Sequence, residues 1–343
     1  MSLPLALTLG EPAGVGPEIV LMAWAARKAR LLPVFCAVGD PELLRARARL
    51  LGLDVPVTPC APEAAATQFA DALPVIPAGP TATAAPGRPD VTSAPAVLES
   101  LERGVDLVLE GRCGGLVTAP LAKSVVYEAG FRFPGHTEYL AARCAPPGGT
   151  APRPVMMIWS PDLAVVPATI HVSLRAVPDL ITVELLVETG HIVHRDMRRR
   201  FGLPSPRLVL AGLNPHAGED GTLGTEDEAV VRPAVARLRA EGVDARGPLP
   251  ADTLFHPAAR AGYDAVIGMY HDQVLAPVKA LAFHEGVNTT LGLPFVRTSP
   301  DHGTAFDLAG TGRADPSSLV AALHLAARLA EGERAARRAE HAA

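Results

Sequence analysis

Three histidines each stand just behind an apolar run: His171 in "VVPATIH", His216 in "LVLAGLNPH" and His271 in "AVIGMYH". Residues 171 and 216 lie 45 positions apart, and 216 and 271 lie 55 apart, each a span that a strand–helix repeat or two can fill. Neutral imidazole nitrogens suit Zn, Co, Ni or Fe, and three protein ligands leave coordination positions open for a substrate. The competing reading is that each ring hydrogen-bonds a loop. The repeated context argues for convergence, while long-range spacing by itself is a weak signal.

Anion-binding candidates follow the last histidine. The stretch "MYHDQVLAPVKALAFHEGVNTTLGLPFVRTSPDHGTAFD" carries Lys279, Asn288 and Arg297. Lys and Arg brought to one spot hold a phosphate or carboxylate through charge-assisted bonds; left apart, they are ordinary surface charge. Upstream, "FPGHTEYLA" sets His136 and Thr137 after a Pro-Gly turn, where they serve either a ligand or the start of a helix.

Near the start, "LALTLGEPAGVGPEIV" breaks an apolar run with Gly10, Gly14 and Gly16 and then opens a helix at Pro17-Glu18. Strand, glycine turn and helix start is the architecture of many phosphate sites. The glycines are not spaced as G-x-G-x-x-G, and no acidic residue stands after a second clear strand at the distance a ribose site requires.

These residues need elements to position them. Apolar runs predict strands at 33–39, 114–120, 154–160, 164–172, 207–215 and 264–272. Helical patterns lie between several of them. One runs from Leu121 to Ala129 and is closed by Gly130. A second opens on the capping box "TEDE", with Thr225 as N-cap and Glu228 at the third helical position. A third begins at "DPSS", where Asp315 caps and Pro316 takes the first position. Strands alternating with helices predict an α/β fold with largely parallel pairing, and ligands collect beyond the carboxyl ends of such strands. The segment 77–90, rich in Pro, Ala, Gly and Thr, reads as a long surface loop, and "HRDMRRRFG" (194–202) as a solvated helix face.

The chain has 343 residues, 48% hydrophobic and 20% charged, enough for two domains with sizeable cores. Its net charge of -5 gives no pull toward nucleic acid or acidic membranes. Cys36, Cys60, Cys113 and Cys144 form no CxxC pair, which predicts free thiols in a reducing compartment. With no leader-like or membrane-spanning run, a cytoplasmic location is expected.

Taken together, "LTLGEPAGVGPEI", "LVTAPLAKSVV", "FPGHTEYLA", "ATIHVSLRAVPDLIT", "LAGLNPHAGEDGTLGTED", "GPLPADTLF", "MYHDQVLAPVK" and "RTSPDHGTAFDLAGTGRAD" resemble the 4-hydroxythreonine-4-phosphate dehydrogenase family, in order and along nearly the full length. The resemblance implies an isocitrate/isopropylmalate dehydrogenase-like fold of two α/β/α domains with a cleft between them. The expected cofactor-side domain spans 1–126 plus 291–343, and the metal, substrate and dimerisation domain 127–290. It implies a homodimer with sites at the subunit interface.

The family's metal ligands fall on His171, His216 and His271, for one divalent ion per site (Zn, Mg, Co, Mn or Ni). Its substrate contacts fall on His136, Thr137, Asp252, Lys279, Asn288 and Arg297, with Asp252 and Lys279 as candidate catalytic groups. The loop "HGTAFDLAG" parallels the "HGSAPDIAG" loop that holds the adenosine side of NAD in the superfamily. It nominates His302, Gly303, Thr304, Ala305, Asp307 and Gly310 for NAD or NADP and demotes the opening glycine turn to the floor of the cleft.

The implied reaction oxidises C3 of 4-phosphooxy-L-threonine, then decarboxylates to 3-amino-2-oxopropyl phosphate in pyridoxal 5'-phosphate biosynthesis. A divalent ion lowers the pKa of the hydroxyl and stabilises the enolate of decarboxylation. Sister branches act on 4-phospho-threonate or phospho-erythronate, or on a cis-dihydrodiol carboxylate. A phosphotransacetylase-type acyltransferase needs neither the histidines nor the NAD loop. One departure is Ala122 in "TAPLAK", where the family often carries Asn.

Overall fold

A computed structural model of the chain describes residues 3–82, 84–133, 135–146, 148–283 and 285–342; Thr83 of the expected surface loop and Pro134 of the expected Pro-Gly turn lie outside them. The fold is mixed α/β, and its residues divide into two compact units. The first runs to Pro152 and resumes over Leu293–Glu331; the second comprises Arg153–Gly292 and the chain from Gly332 onward.

The first unit opens with β1 (Leu5–Thr8), β2 (Phe35–Gly39), β3 (Val57–Pro59), β4 (Leu73–Pro77) and β5 (Leu116–Thr118). They lie in the order β3-β4-β2-β1-β5, and every pairing is parallel. Strands covered on both faces read as unbroken apolar runs, as "LALT" and "FCAVG" do. The covering helices include Gly16–Ala25, Pro41–Leu51 and Ala94–Leu109. Helix Pro41–Leu51 starts where the Asp40 carboxylate accepts the Glu42 N–H and stops at left-handed Gly52. On Ala94–Leu109 the buried residues Ala94, Val97, Leu101 and Val105 recur every three or four positions, the stripe of a helix lying on a sheet.

The strand order reverses direction at β1, so β1 and β5 flank a switch point, where open parallel sheets form a crevice. The glycine turn after β1 occupies that edge. Gly10 has φ +66°, and a Cβ there would sit 2.2 Å from the Pro120 carbonyl oxygen; only glycine lets the two loops approach so closely.

The second unit contains β6 (Val155–Trp159), β7 (Ala164–Thr169), β8 (Arg207–Ala211), β9 (Asp244–Leu249), β10 (Ala265–Tyr270) and β11 (Val287–Leu291), ordered β11-β6-β7-β10-β8-β9. The run β7-β10-β8-β9 is parallel, whereas β6 is antiparallel to both its neighbours. A short turn at 160–163 joins β6 to β7, and so short a link permits only antiparallel pairing. The core here gathers Ile158, Val165, Val209, Val266, Val274 and Val278. The chain then returns to the first unit as β12 (Arg297–Pro300), parallel to β5, and ends in the helix Ser317–Ala342. That helix begins where the Asp315 carboxylate accepts the Ser317 N–H at 2.9 Å.

The division differs from the expected 1–126 plus 291–343. Residues beyond 126 stay with the first unit because Tyr139, Leu140 and Ala141 bury into its core beside Leu101 and Leu116. The tail beyond Gly332 goes with the second unit because Glu333 and Glu340 pair with Arg199 and Arg200.

Two local expectations are corrected. The basic segment 194–202 is not wholly a solvated face: Arg200 is buried between Asp196 and Glu333. The "TEDE" box does not form. A π-helical turn at Asp227–Val231 precedes helix Arg232–Ala240, without a side-chain cap. Asp227 instead turns inward, and Glu228 pairs with Arg232. All four cysteines are free thiols.

Candidate functional site

In the second unit all three histidines leave the carboxyl edge of one parallel run. His171 follows β7 by two residues, His271 opens the helix His271–Ala282 directly after β10, and His216 lies in the loop after β8. Thr169 fastens the first two strand ends, its hydroxyl donating to the Met269 carbonyl at 2.8 Å. Gln273 fastens the next pair: its Oε1 accepts the Met269 N–H and its Nε2 donates to the Gly212 carbonyl, each at 2.7 Å.

The rings of His171 and His271 stand 5.9 Å apart between centroids. They line a pocket of about 250 Å³ with Thr169, Val172, Tyr270 and Asp272. Nδ1 of His271 meets the Asp272 carboxylate at 2.6 Å. A carboxylate on one ring nitrogen orients an imidazole and leaves the other nitrogen for a metal. The donor chemistry therefore fits a divalent ion with two imidazole ligands. His216 does not join them: among the described residues no group of three or more His, Cys, Asp or Glu could hold a metal ion within one chain.

His216 is exposed at the head of an unusual backbone segment. Residues 216–220 all have positive φ, from 44° at Glu219 to 81° at Gly218, and four of the five are not glycine. Such conformations cost roughly 1–2 kcal/mol per non-glycine residue and cluster at functional sites. The buried Asp227 carboxylate holds the entry to this turn, accepting the N–H groups of Leu213 and Asn214 at 2.7 and 3.0 Å and the Asn214 amide at 3.1 Å.

In the first unit a second cluster forms around Arg297. This residue starts β12, is 3% exposed, and donates from Nη2 to the Thr118 hydroxyl at 2.7 Å. Burial draws its guanidinium down to about 10, with Glu138 opposing the shift. His136 opens the helix His136–Arg143, whose N-cap residue is Gly135. Burial, reinforced by the charges of Arg297 and then Lys123, holds His136 down at about 3. The imidazole is therefore neutral at physiological pH. Thr137, next on that helix, is half-buried. A buried guanidinium and an ammonium group beside a helix N-terminus together favour an anion.

The other candidates are placed singly. Asp252 is exposed on the short turn Ala251–Thr253 after β9. Lys279 is half-buried on helix His271–Ala282, its ammonium 5.3 Å from the Phe283 ring centroid. Asn288 lies on β11, and its Oδ1 is buried without a hydrogen-bond partner among the described residues, as an atom kept for a ligand or water would be.

The loop after β12 exposes His302, Gly303 and Asp307, keeps Thr304, Ala305 and Gly310 half-buried, and holds Ala305 at φ 43°. A Cβ on Gly303 would meet nothing within 4 Å, so a ligand can approach that backbone. The exposed polar side chains and open backbone fit a dinucleotide's hydroxyls and phosphates.

Reading the sequence missed several supporting residues. Lys123 stood in "TAPLAK" without a role, and Asp272 adjoins His271 in the chain, so both carried a signal. Thr118, Glu138, Gln273 and Asp227 act through tertiary contacts that no spacing reveals.

Residues 32–326 match the family model described as "Pyridoxal phosphate biosynthetic protein PdxA". The chain is 69% identical over 330 residues to the 4-hydroxythreonine-4-phosphate dehydrogenase of Xanthobacter autotrophicus, covering 96% of this chain and 94% of the relative. It is similar to the crystal structure of the Klebsiella pneumoniae 4-hydroxythreonine-4-phosphate dehydrogenase, with TM-score 0.84, 37% identity, and 96% and 98% of the two chains covered. A terephthalate 1,2-cis-dihydrodiol dehydrogenase from Burkholderia xenovorans superposes less well, with TM-score 0.63, 25% identity, and 96% and 98% covered.

Proposed function

Because the chain belongs to the PdxA family, which acts in pyridoxal phosphate biosynthesis, we propose that it oxidises 4-phosphooxy-L-threonine at C3 with NAD+ or NADP+. Decarboxylation of the resulting 2-amino-3-keto acid then gives 3-amino-2-oxopropyl phosphate. The C3 hydroxyl gives its proton to a base while the hydrogen on C3 leaves with its electron pair to the nicotinamide, forming the C3 ketone. The C1 carboxylate then leaves as CO2, and a proton adds at C2.

The observation that carries this reading is the cationic cluster of the first unit. Arg297, Lys123 and the head of helix His136–Arg143 would bind a phosphate, and His136, neutral beside them, would hydrogen-bond it without needing a proton. An aromatic dihydrodiol presents no phosphate for such a cluster, which sets that branch second.

His171 and His271 would hold a divalent ion, with His216 as the third ligand implied by the resemblance. When bound, the ion polarises the hydroxyl and offsets negative charge during decarboxylation. Since the three rings do not gather within one chain, we assign the completed site to a homodimer in which a second copy brings the missing ligand. Asn288 and Lys279 would orient the substrate, Asp252 would accept a proton or anchor the amine, and loop residues 302–310 would hold the dinucleotide.

The test is a dehydrogenase assay with divalent metal removed and restored, NAD+ and NADP+ run separately. Metal-dependent NAD(P)H and CO2 formation from 4-phosphooxy-L-threonine is expected. Silence with that compound beside turnover of 4-phospho-threonate, phospho-erythronate or a cis-dihydrodiol carboxylate would move the chain to a sister branch. His216→Ala should abolish metal-dependent turnover and weaken metal binding in titration while the circular dichroism spectrum is retained; unaltered metal affinity would remove His216 from the ligand set.

A further inference from the structure

We infer that Arg47 and Glu18 are positioning residues for the dinucleotide, acting as a buried latch on the loop 302–312. The inference rests on the reading above that this loop binds NAD(P). Glu18, in helix Gly16–Ala25, is 0% exposed and Arg47, in helix Pro41–Leu51, is 3% exposed. Nη1 of Arg47 donates to Glu18 Oε1 at 2.7 Å. The same carboxylate oxygen accepts the backbone N–H of Gly310, across 292 residues of chain.

Arg47 also donates to the carbonyls of Gly14 and Pro12, at 3.1 and 2.9 Å. One guanidinium thereby fixes the glycine turn, and through Glu18 the end of the loop. The turn grips the loop at its other end as well, where the Val15 N–H donates to the Thr304 carbonyl at 3.0 Å. A Cβ on Gly14 would lie 2.9 Å from that same carbonyl oxygen.

This arrangement is more than a stabilising ion pair needs. A buried Arg–Glu pair is offset by the desolvation of both charges and is weak evidence for stability. Here the acceptor is spent on the amide of a loop whose His302 and Asp307 side chains face solvent. The loop's own bonds are short-range, such as the Leu308 N–H to the Ala305 carbonyl. Holding both ends sets its shape before the ligand arrives and spares the ordering cost of binding.

The measurements are dinucleotide affinity by equilibrium titration and steady-state kinetics on Arg47→Lys, Glu18→Gln and the double variant Glu18→Gln/Arg47→Met, which removes both charges together. Dinucleotide Kd and KM should rise about tenfold in the double variant, the effect of losing one charge-assisted hydrogen bond. The kcat at saturating dinucleotide and the KM for the phosphorylated substrate should stay within about twofold, a split that general destabilisation would not give. Unchanged dinucleotide affinity in folded variants overturns the latch.

Hydrogen exchange on the wild-type protein needs no variant. Strong protection of the Gly310 amide without ligand is expected, and exchange at the rate of a solvent-exposed amide refutes the bond. Asp307→Ala tests the loop assignment separately. Weakened dinucleotide binding there beside silent latch variants refutes the latch alone, while silence in both sets refutes the loop's role and the latch with it.

Discussion

His136 is a neutral imidazole set beside two cations, and its acid response follows from that placement. Its value in the fold is about 3, against an ordinary 6.5. Above about 6.5 neither the folded nor the unfolded chain holds this proton. Between about 6.5 and about 3 the unfolded chain takes it up and the folded chain does not, so stability falls as pH falls through that window. Between about pH 7.5 and pH 5, urea unfolding should show a loss that is smaller by roughly 1–2 kcal/mol in His136→Gln than in the parent. The remainder includes His194, which burial also lowers; equal losses in both proteins would mean the His136 ring titrates normally. The chemistry-bearing types at this scale were legible because each follows an apolar run or a turn. What was not legible was their neighbourhood. Lys123 reaches His136 through folding alone, and the bond from Arg297 to Thr118 spans 179 residues of chain.

Helix Val183–Arg199 and the residue after it show how elements redirect a sequence pattern. "HRDMRRRFG" has the charge density of an exposed face, yet Arg200 bonds Asp196 at 3.1 Å and Glu333 at 3.2 Å, and Asp196 also accepts the Gly292 N–H at 2.8 Å. Arg200→Ala removes the buried cation beside that carboxylate, leaving it the Gly292 N–H and the exposed Arg195 at 3.1 Å, and should cost about 3 kcal/mol in urea unfolding. A loss below about 1 kcal/mol would place the network among ordinary screened surface pairs. Strands with continuous apolar runs were readable in advance, as at 33–39, 154–160 and 264–272. β9, reading "DARGPL", was not, because it draws its place from parallel pairing with β8 rather than from apolar side chains. The "TEDE" cap failed because Glu228 turns forward to Arg232, while Asp227 is drawn inward by three donors of the loop that leads to His216.

At the scale of the whole molecule, the proposed homodimer, in which a second copy supplies the third metal ligand, would make catalysis a property of assembly. Specific activity of the metal-loaded protein should fall on serial dilution as the sedimentation coefficient shifts from dimer to monomer; constant activity in a preparation shown to be monomeric would return the whole site to one chain. The α/β class and the discontinuous chain path were legible from alternating elements and from family resemblance. The border near Pro152 was not, since it depends on Tyr139 and Leu140 choosing one core over another. That chain path also bears on synthesis. β5 ends at Thr118, and the strand that pairs beside it begins only at Arg297. A ribosome adding about 5–20 residues per second leaves that edge waiting roughly 10–35 s. Through that interval the nascent first unit presents an unpaired strand edge, a template for stray pairing, and chaperone dependence should be concentrated there and relieved once β12 emerges.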